Sequence, residues 1–179
     1  MRNFFLDYIY QNNQILNKIE LGEVLNLYEN IKKLKKNRKK ILIFGNGAGA
    51  SIASHFSNDL SKNTKIRCLS FDSSTHLTCY ANDYGYENWV KETIKIHYKN
   101  NDLVILISAS GKSNNMIKAA EYCKIKKINF FSLTGFNKNN NLKRKTKNNI
   151  WINSNLYNQI EISQLFILLS IVDKLVKDK

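Results

Sequence analysis

One segment leaves the chain little choice of fold: Ile41 to Leu60, ILIFGNGAGASIASHFSNDL. An unbroken apolar run, Ile41 to Phe44, leads straight into Gly45-Asn46-Gly47-Ala48-Gly49. A short apolar run closed by glycines reads as a buried strand, and alternating glycines read as a tight turn that other atoms approach closely. The small residues that follow continue as a helix. A helix opening directly after such a turn aims its unpaired N–H groups, and the positive end of its dipole, at whatever the turn holds. That geometry binds anions, phosphate above all.

The same strand–turn–helix rhythm then repeats. Apolar runs at Ile41–Phe44, Ile66–Phe71, Leu103–Ser108, Ile128–Leu133 and Asn149–Ile152 predict strands. Helical segments are expected at 50–61, 86–98, 113–125, more briefly 139–145, and finally 156–177. Continuous apolar strands alternating with helices predict an α/β fold, a parallel sheet covered on both faces. Helical spacing at 3–18 and 22–36, the latter through Leu21, Val24, Leu25, Tyr28, Ile31 and Leu34, predicts two helices before the first strand. From there they cannot cover both faces, so one is expected to pack outward against another copy. No linker or repeat divides the chain: a helical extension (1–38) and an α/β core (39–179) form one domain.

Composition narrows the class. Apolar content of 43% excludes a disordered chain. No apolar run is long enough to span a bilayer, and MRNFFLDYIYQNNQ has no small-residue cleavage site, which predicts a cytoplasmic protein without a membrane. Cys68, Cys79 and Cys123 form no C-x-x-C pair and are expected as reduced, buried small residues. The net charge is +14. It comes with abundant Asn and Ile and no proline, as a bias running through the whole chain. Its clusters, Lys32 to Lys40 and Lys138 to Lys147, are not interleaved with aromatics. A solvated surface is therefore expected rather than a nucleic-acid face.

In an open parallel sheet, ligands bind beyond the carboxyl ends of the strands where strand order reverses. Two such ends carry unusual chemistry. One is the glycine turn. The other, Ser108-Ala109-Ser110-Gly111-Lys112-Ser113-Asn114-Asn115, follows Leu103–Ile107 and opens a helix. Ser113 or Asn114 alone would serve as an N-cap. Three serines spaced S-x-S-G-x-S gather several hydroxyls around one turn, which suits a phosphate monoester. A dinucleotide site competes, because Gly45-x-Gly47-x-x-Ala50 fits G-x-G-x-x-[G/A] and Asp72 ends the second strand. Against it, Gly49 is out of register and the serine turn has no role in such a fold.

Taken in order, these motifs resemble the SIS (sugar isomerase) domain family, and within it the phosphoheptose isomerases. GNGAGASIASHF (Gly45–Phe56) resembles G-N-G-G-S-x-x-x-A-x-H-F, and SSTHLTCYANDYGY (Ser73–Tyr86) the stretch ending G-N-D-x-G-F. SASGKSNNMIKA (Ser108–Ala119) is similar to S-T-S-G-x-S-x-N-V-x-x-A, and Leu133-Thr134-Gly135 to the next strand end. The resemblance implies a five-stranded flavodoxin-like sheet, a homotetramer with sites between subunits, and conversion of sedoheptulose 7-phosphate to D-glycero-D-manno-heptose 7-phosphate for surface polysaccharide. It implies that Ser108, Ser110 and Ser113 hold the phosphate, that Asn46 and Gly47 close around the substrate, and that Asn82 and Asp83 lie near the sugar.

The chain departs from the family at the metal. Zinc is usual there, held by a histidine and glutamate on the first core helix and a glutamine and histidine on the last. Here His55 is kept, the glutamate is shortened to Asp59, and Ile160, Ser163 and Leu168 stand where the last helix has a glutamine and two histidines, the second a ligand. Glu161 alone is kept, and no metal set is expected. Aldose–ketose interconversion moves a proton between adjacent carbons through an enediol and needs acid–base groups tuned by burial. His55 and Asp59, four residues apart on one helix face, with Glu161 from the last helix, are the catalytic candidates. His76 is expected near the cleft and His97 at the end of a surface helix. A non-catalytic alternative also fits the resemblance, a sugar-phosphate-binding or protein-interaction module like the tetrameric DnaA-initiator-associating protein.

Overall fold

The computed structural model describes residues 1–178. Five strands form one sheet: β1 (Lys40–Phe44), β2 (Arg67–Ser70), β3 (Leu103–Ile107), β4 (Phe130–Thr134) and β5 (Asn149–Trp151). All pairings are parallel, in the order β2-β1-β3-β4-β5. That is the flavodoxin order, and it reverses between β1 and β3. Ile41 of β1 lies opposite Cys68 on one side and Leu103 on the other. At the strand starts, buried Asp102 accepts from the Lys40 and Lys99 backbone N–H groups and pairs with the Lys40 ammonium.

Strand alternation sends side chains to two cores, as the period of two requires. Ile41, Ile43, Leu103, Ile105, Phe131 and Leu133 meet α2 (Leu21–Lys36), α3 (Ala48–Thr64) and α7 (Tyr157–Lys177) on one face. Leu42, Phe44, Val104, Leu106 and Phe130 meet α5 (Trp89–His97) and α6 (Asn114–Ile125) on the other. Of the first two helices, α2 buries Leu27, Tyr28, Ile31 and Leu34, whereas α1 (Arg2–Asn17) buries nothing and leaves Phe4, Phe5, Leu6, Ile9 and Tyr10 exposed. No helix among the described residues is long and apolar enough to cross a membrane.

Three expectations need correction. The segment 86–98 is only half of the helical region there: α4 (Ser74–Tyr84) precedes α5. It buries no residue, so no apolar period marks it. The expected helix at 139–145 is a single 3-10 turn, Lys143–Lys145. Asparagine amides hold the local backbone instead, Asn137 Oδ1 accepting from Asn139 N–H and Asn140 Oδ1 from Lys143 N–H. Cys68 and Cys123 are buried, and burial pushes both thiols up, Cys123 to about 12. Cys79, on α4, is exposed.

Candidate functional site

At the reversal between β1 and β3 the two turns converge on one cavity of about 170 Å³. Close packing brings α3 there: a Cβ on Gly45 would lie 2.2 Å from the Gly49 carbonyl carbon. The turns are then tied by a reciprocal amide pair. Asn46 Nδ2 donates to Asn115 Oδ1 at 3.0 Å, and Asn115 Nδ2 returns to Asn46 Oδ1 at 2.8 Å. The Tyr86 hydroxyl also donates to Asn46 Oδ1, at 3.2 Å.

Ser108, Ser110 and Ser113 all line this cavity. Ser113 has the backbone position of the α6 N-cap, yet its hydroxyl makes no capping bond. It shares a 3.0 Å hydrogen bond with the Ser108 hydroxyl instead. Ser110 Oγ accepts from the Lys112 N–H and keeps its own proton to donate. Gly111 makes the turn possible with φ +63°, and a Cβ there would strike Asn140 Oδ1 at 2.0 Å. The turn is thus a set of hydroxyls facing a cavity at a helix N-terminus, the arrangement a phosphoryl group needs.

Helix α7 closes the cavity with Tyr157, Glu161 and Gln164, a polar stripe at steps of four and three. The helix seats directly on the end of β4, where a Cβ on Gly135 would meet Ile160 Cδ1 at 2.5 Å. Burial raises the Glu161 carboxyl above its ordinary value. Glu161 also lines a second, more apolar cleft of about 430 Å³ between α1, α3 and α7, which Tyr8, Ser51 and His55 share. The smaller cavity has room for a phosphoryl group and its first carbons, and the larger one is of ligand size.

The remaining candidates are scattered. His55 reaches the larger cleft, but Asp59 lines neither; its carboxylate lies 3.3 Å from His55 Nε2, both side chains well exposed. Gly47 is the exposed α3 N-cap, outside the lining of both cavities. Asn82 and Asp83 are exposed on α4 and bonded to each other, not at the serine turn. His76 faces away from the cleft: its ring stacks on Tyr80 at 4.2 Å and bonds Thr93, while His97 ends α5 against Phe71. Asp72, the ribose candidate, is exposed beyond β2.

The donor set does not suit zinc. Beside His55 lies Asp59, and on α7 the family's positions carry Ile160, Ser163 and Leu168, all buried in the core. No group of three or more His, Cys, Asp or Glu side chains arranged to hold a metal occurs among the described residues. Asn115, Tyr157 and Gln164 were not anticipated as site residues. The available signal was the helical spacing of Tyr157, Glu161 and Gln164, which puts three polar side chains on one face.

Comparison with known proteins agrees with this geometry. The SIS domain family model matches residues 7–135. A phosphoheptose isomerase of Helicobacter pylori (strain Shi470) is 41% identical over 107 residues, which are 56% of this chain and 55% of that protein. Phosphoheptose isomerase 2 of Campylobacter jejuni is 33% identical over 142 residues, 75% of this chain and 71% of its own. The aligned part thus spans about half of the Helicobacter relative and more of the Campylobacter one. The fold matches the solved phosphoheptose isomerase of Neisseria gonorrhoeae with a TM-score of 0.85 at 20% identity, over 98% of this chain and 96% of that one.

Proposed function

This chain belongs to the SIS domain family, and on that premise we propose that it is a phosphosugar aldose–ketose isomerase converting sedoheptulose 7-phosphate to D-glycero-D-manno-heptose 7-phosphate. The observation that carries the reading is that three serine hydroxyls and Glu161, a half-buried carboxylate whose affinity for its proton burial raises, line one cavity. The names of the Helicobacter and Campylobacter relatives support the substrate class.

In this scheme Ser108, Ser110 and Ser113 hold the phosphoryl oxygens. Glu161 removes the C–H proton beside the carbonyl, leaving an enediol, and returns it to the neighbouring carbon. Its raised affinity for protons suits both halves of that transfer. His55, on the far side of Glu161, manages the oxygens, with Asp59 orienting its ring. Asn46 acts by fixing the turn, since its amide is already engaged by Asn115. Asn82 and Asp83 reach a sugar only if a second copy brings α4 to the cleft. That accords with a cytoplasmic homotetramer, for which the exposed apolar face of α1 and exposed Ile162 and Phe166 of α7 supply the contact surface.

The deciding experiment assays isomerisation of sedoheptulose 7-phosphate by the purified protein, with and without zinc, and repeats it with Glu161→Gln. Turnover that needs no zinc and disappears in the variant supports the scheme. A folded tetramer with no turnover points to a non-catalytic binding module, the reading favoured by a serine cavity whose lining includes neither His55 nor Asp59.

A further inference from the structure

Gln164 is buried without being answered. Its exposure is 0%, and neither Oε1 nor Nε2 has a hydrogen-bond partner among the described residues. Two other buried amides near the sheet and on α7 are satisfied at both ends or by neighbouring hydroxyls. Gln159, 3% exposed and on the same helix, accepts from Ser154 at 2.7 Å and donates to Gln11 at 3.2 Å. Asn149, at the sheet edge, donates to Ser132 and Thr134. An amide left open at both ends in a protein interior is costly, and such groups concentrate where something else completes them.

What Gln164 faces is the cavity it lines with Ser108, Ser110, Ser113 and Glu161. We propose that the Gln164 amide is a ligand-binding group that selects for a pair of oxygens on adjacent carbons: Oε1 accepts from a hydroxyl, and Nε2 donates to its neighbouring hydroxyl or carbonyl oxygen. An amide presents one donor edge and one acceptor edge side by side, which matches an α-hydroxy carbonyl or vicinal diol and not an alkyl chain. Gln164 follows Glu161 by three residues, on the same helix face. The two oxygens are thus held between the serine turn and Glu161. The serine turn therefore anchors the phosphoryl group of any monoester, and Gln164 distinguishes a sugar from the rest.

This inference rests on the sugar-phosphate reading above. It is tested by titrating wild type, Gln164→Leu and Gln164→Met with two probes, sedoheptulose 7-phosphate and ethyl phosphate, which keeps the phosphate and lacks the hydroxyls. Either substitution is expected to weaken the sugar phosphate by about tenfold or more and ethyl phosphate by less than about twofold, because only the first leaves site hydrogen bonds unmade. The ligand-free variants should melt at or above the wild-type temperature, since an unpaired buried group is gone. Both variants melting well below wild type would show that the amide already has an internal partner, and the proposal would be wrong. Wild type preferring the sugar phosphate, with that preference intact in the variants, overturns the proposal alone. Wild type binding both probes equally overturns the sugar-phosphate reading and this inference with it.

Discussion

Asn46 and Asn115 face each other across the β1–β3 boundary and exchange both of their amide hydrogen bonds, at 3.0 and 2.8 Å. Two loops 69 residues apart in sequence are held as one surface by this pair. Either Asn46→Ala or Asn115→Ala alone leaves the other Nδ2 without its partner and should cost about 1–3 kcal/mol. The double variant should cost clearly less than the sum, a coupling of about 0.5–3 kcal/mol. Urea unfolding of the four proteins measures it; strictly additive losses would mean that the pair does not join the loops.

Ser108 and Ser113 allow binding and stability to be separated. Their hydroxyls bond each other, and Ser113 contributes nothing as a side-chain cap. Removing both together in a Ser108→Ala/Ser113→Ala variant leaves no stranded partner, so the fold should lose less than about 1 kcal/mol. Protection by sedoheptulose 7-phosphate in thermal melts should nevertheless largely vanish. A helix cap would give the opposite pattern, with a loss of about 1 kcal/mol and binding intact.

For Glu161 the sign of the pH effect follows from burial. Its carboxyl is raised above the ordinary value of 4.5, so the folded protein holds that proton more tightly than the unfolded chain. The stabilising contribution is complete below 4.5 and is lost as pH rises through the folded value. At neutral pH the ionised carboxylate is a burden on the fold. Glu161→Gln should therefore melt at or above wild type at pH 7, with the advantage shrinking on acidification, while isomerase turnover falls to background.

Under α4 the direction reverses. Burial, with His97 adding repulsion, lowers the His76 imidazole below its ordinary 6.5. Thr93 gives its hydroxyl proton to the Trp89 carbonyl, so the neutral His76 ring donates from Nε2. The contribution of this ring to stability is present above 6.5 and is lost as pH falls through the folded value. Amide exchange in α4 should accelerate selectively on acidification, and His76→Phe should flatten that dependence. Uniform acceleration over the whole chain would contradict a local origin.

The sheet was legible in the sequence because each strand is a nearly continuous apolar run, and because glycine and serine turns punctuate β1 and β3. The boundaries moved by one or two residues, as edges do: β2 ends at Ser70 because Phe71 leaves the strand to stack on Phe44. What sequence could not supply was the direction of side chains on half-buried helices. Asp59 and His55 share a face at four-residue spacing, but that face turns the carboxylate away from both cavities. Gln164 was hidden by the same limit. On a helix with Ile160, Leu165, Leu168 and Val172, one more buried position looks like packing until its amide is seen to have no partner.

Gly135 donates its N–H to the carbonyl of Ala109, which lines the cavity, and it meets α7 through Ile160, which fills the space where a Cβ would be. Ile160 and Glu161 are chain neighbours, so that contact acts as a fulcrum for the carboxylate. A methyl group at position 135 would wedge the helix off the strand end and tilt Glu161 without touching it. Displacements near 1 Å can slow a reaction by about 100-fold. The reach of the proposed acid–base group is thus calibrated at the strand end, by a residue that lines neither cavity.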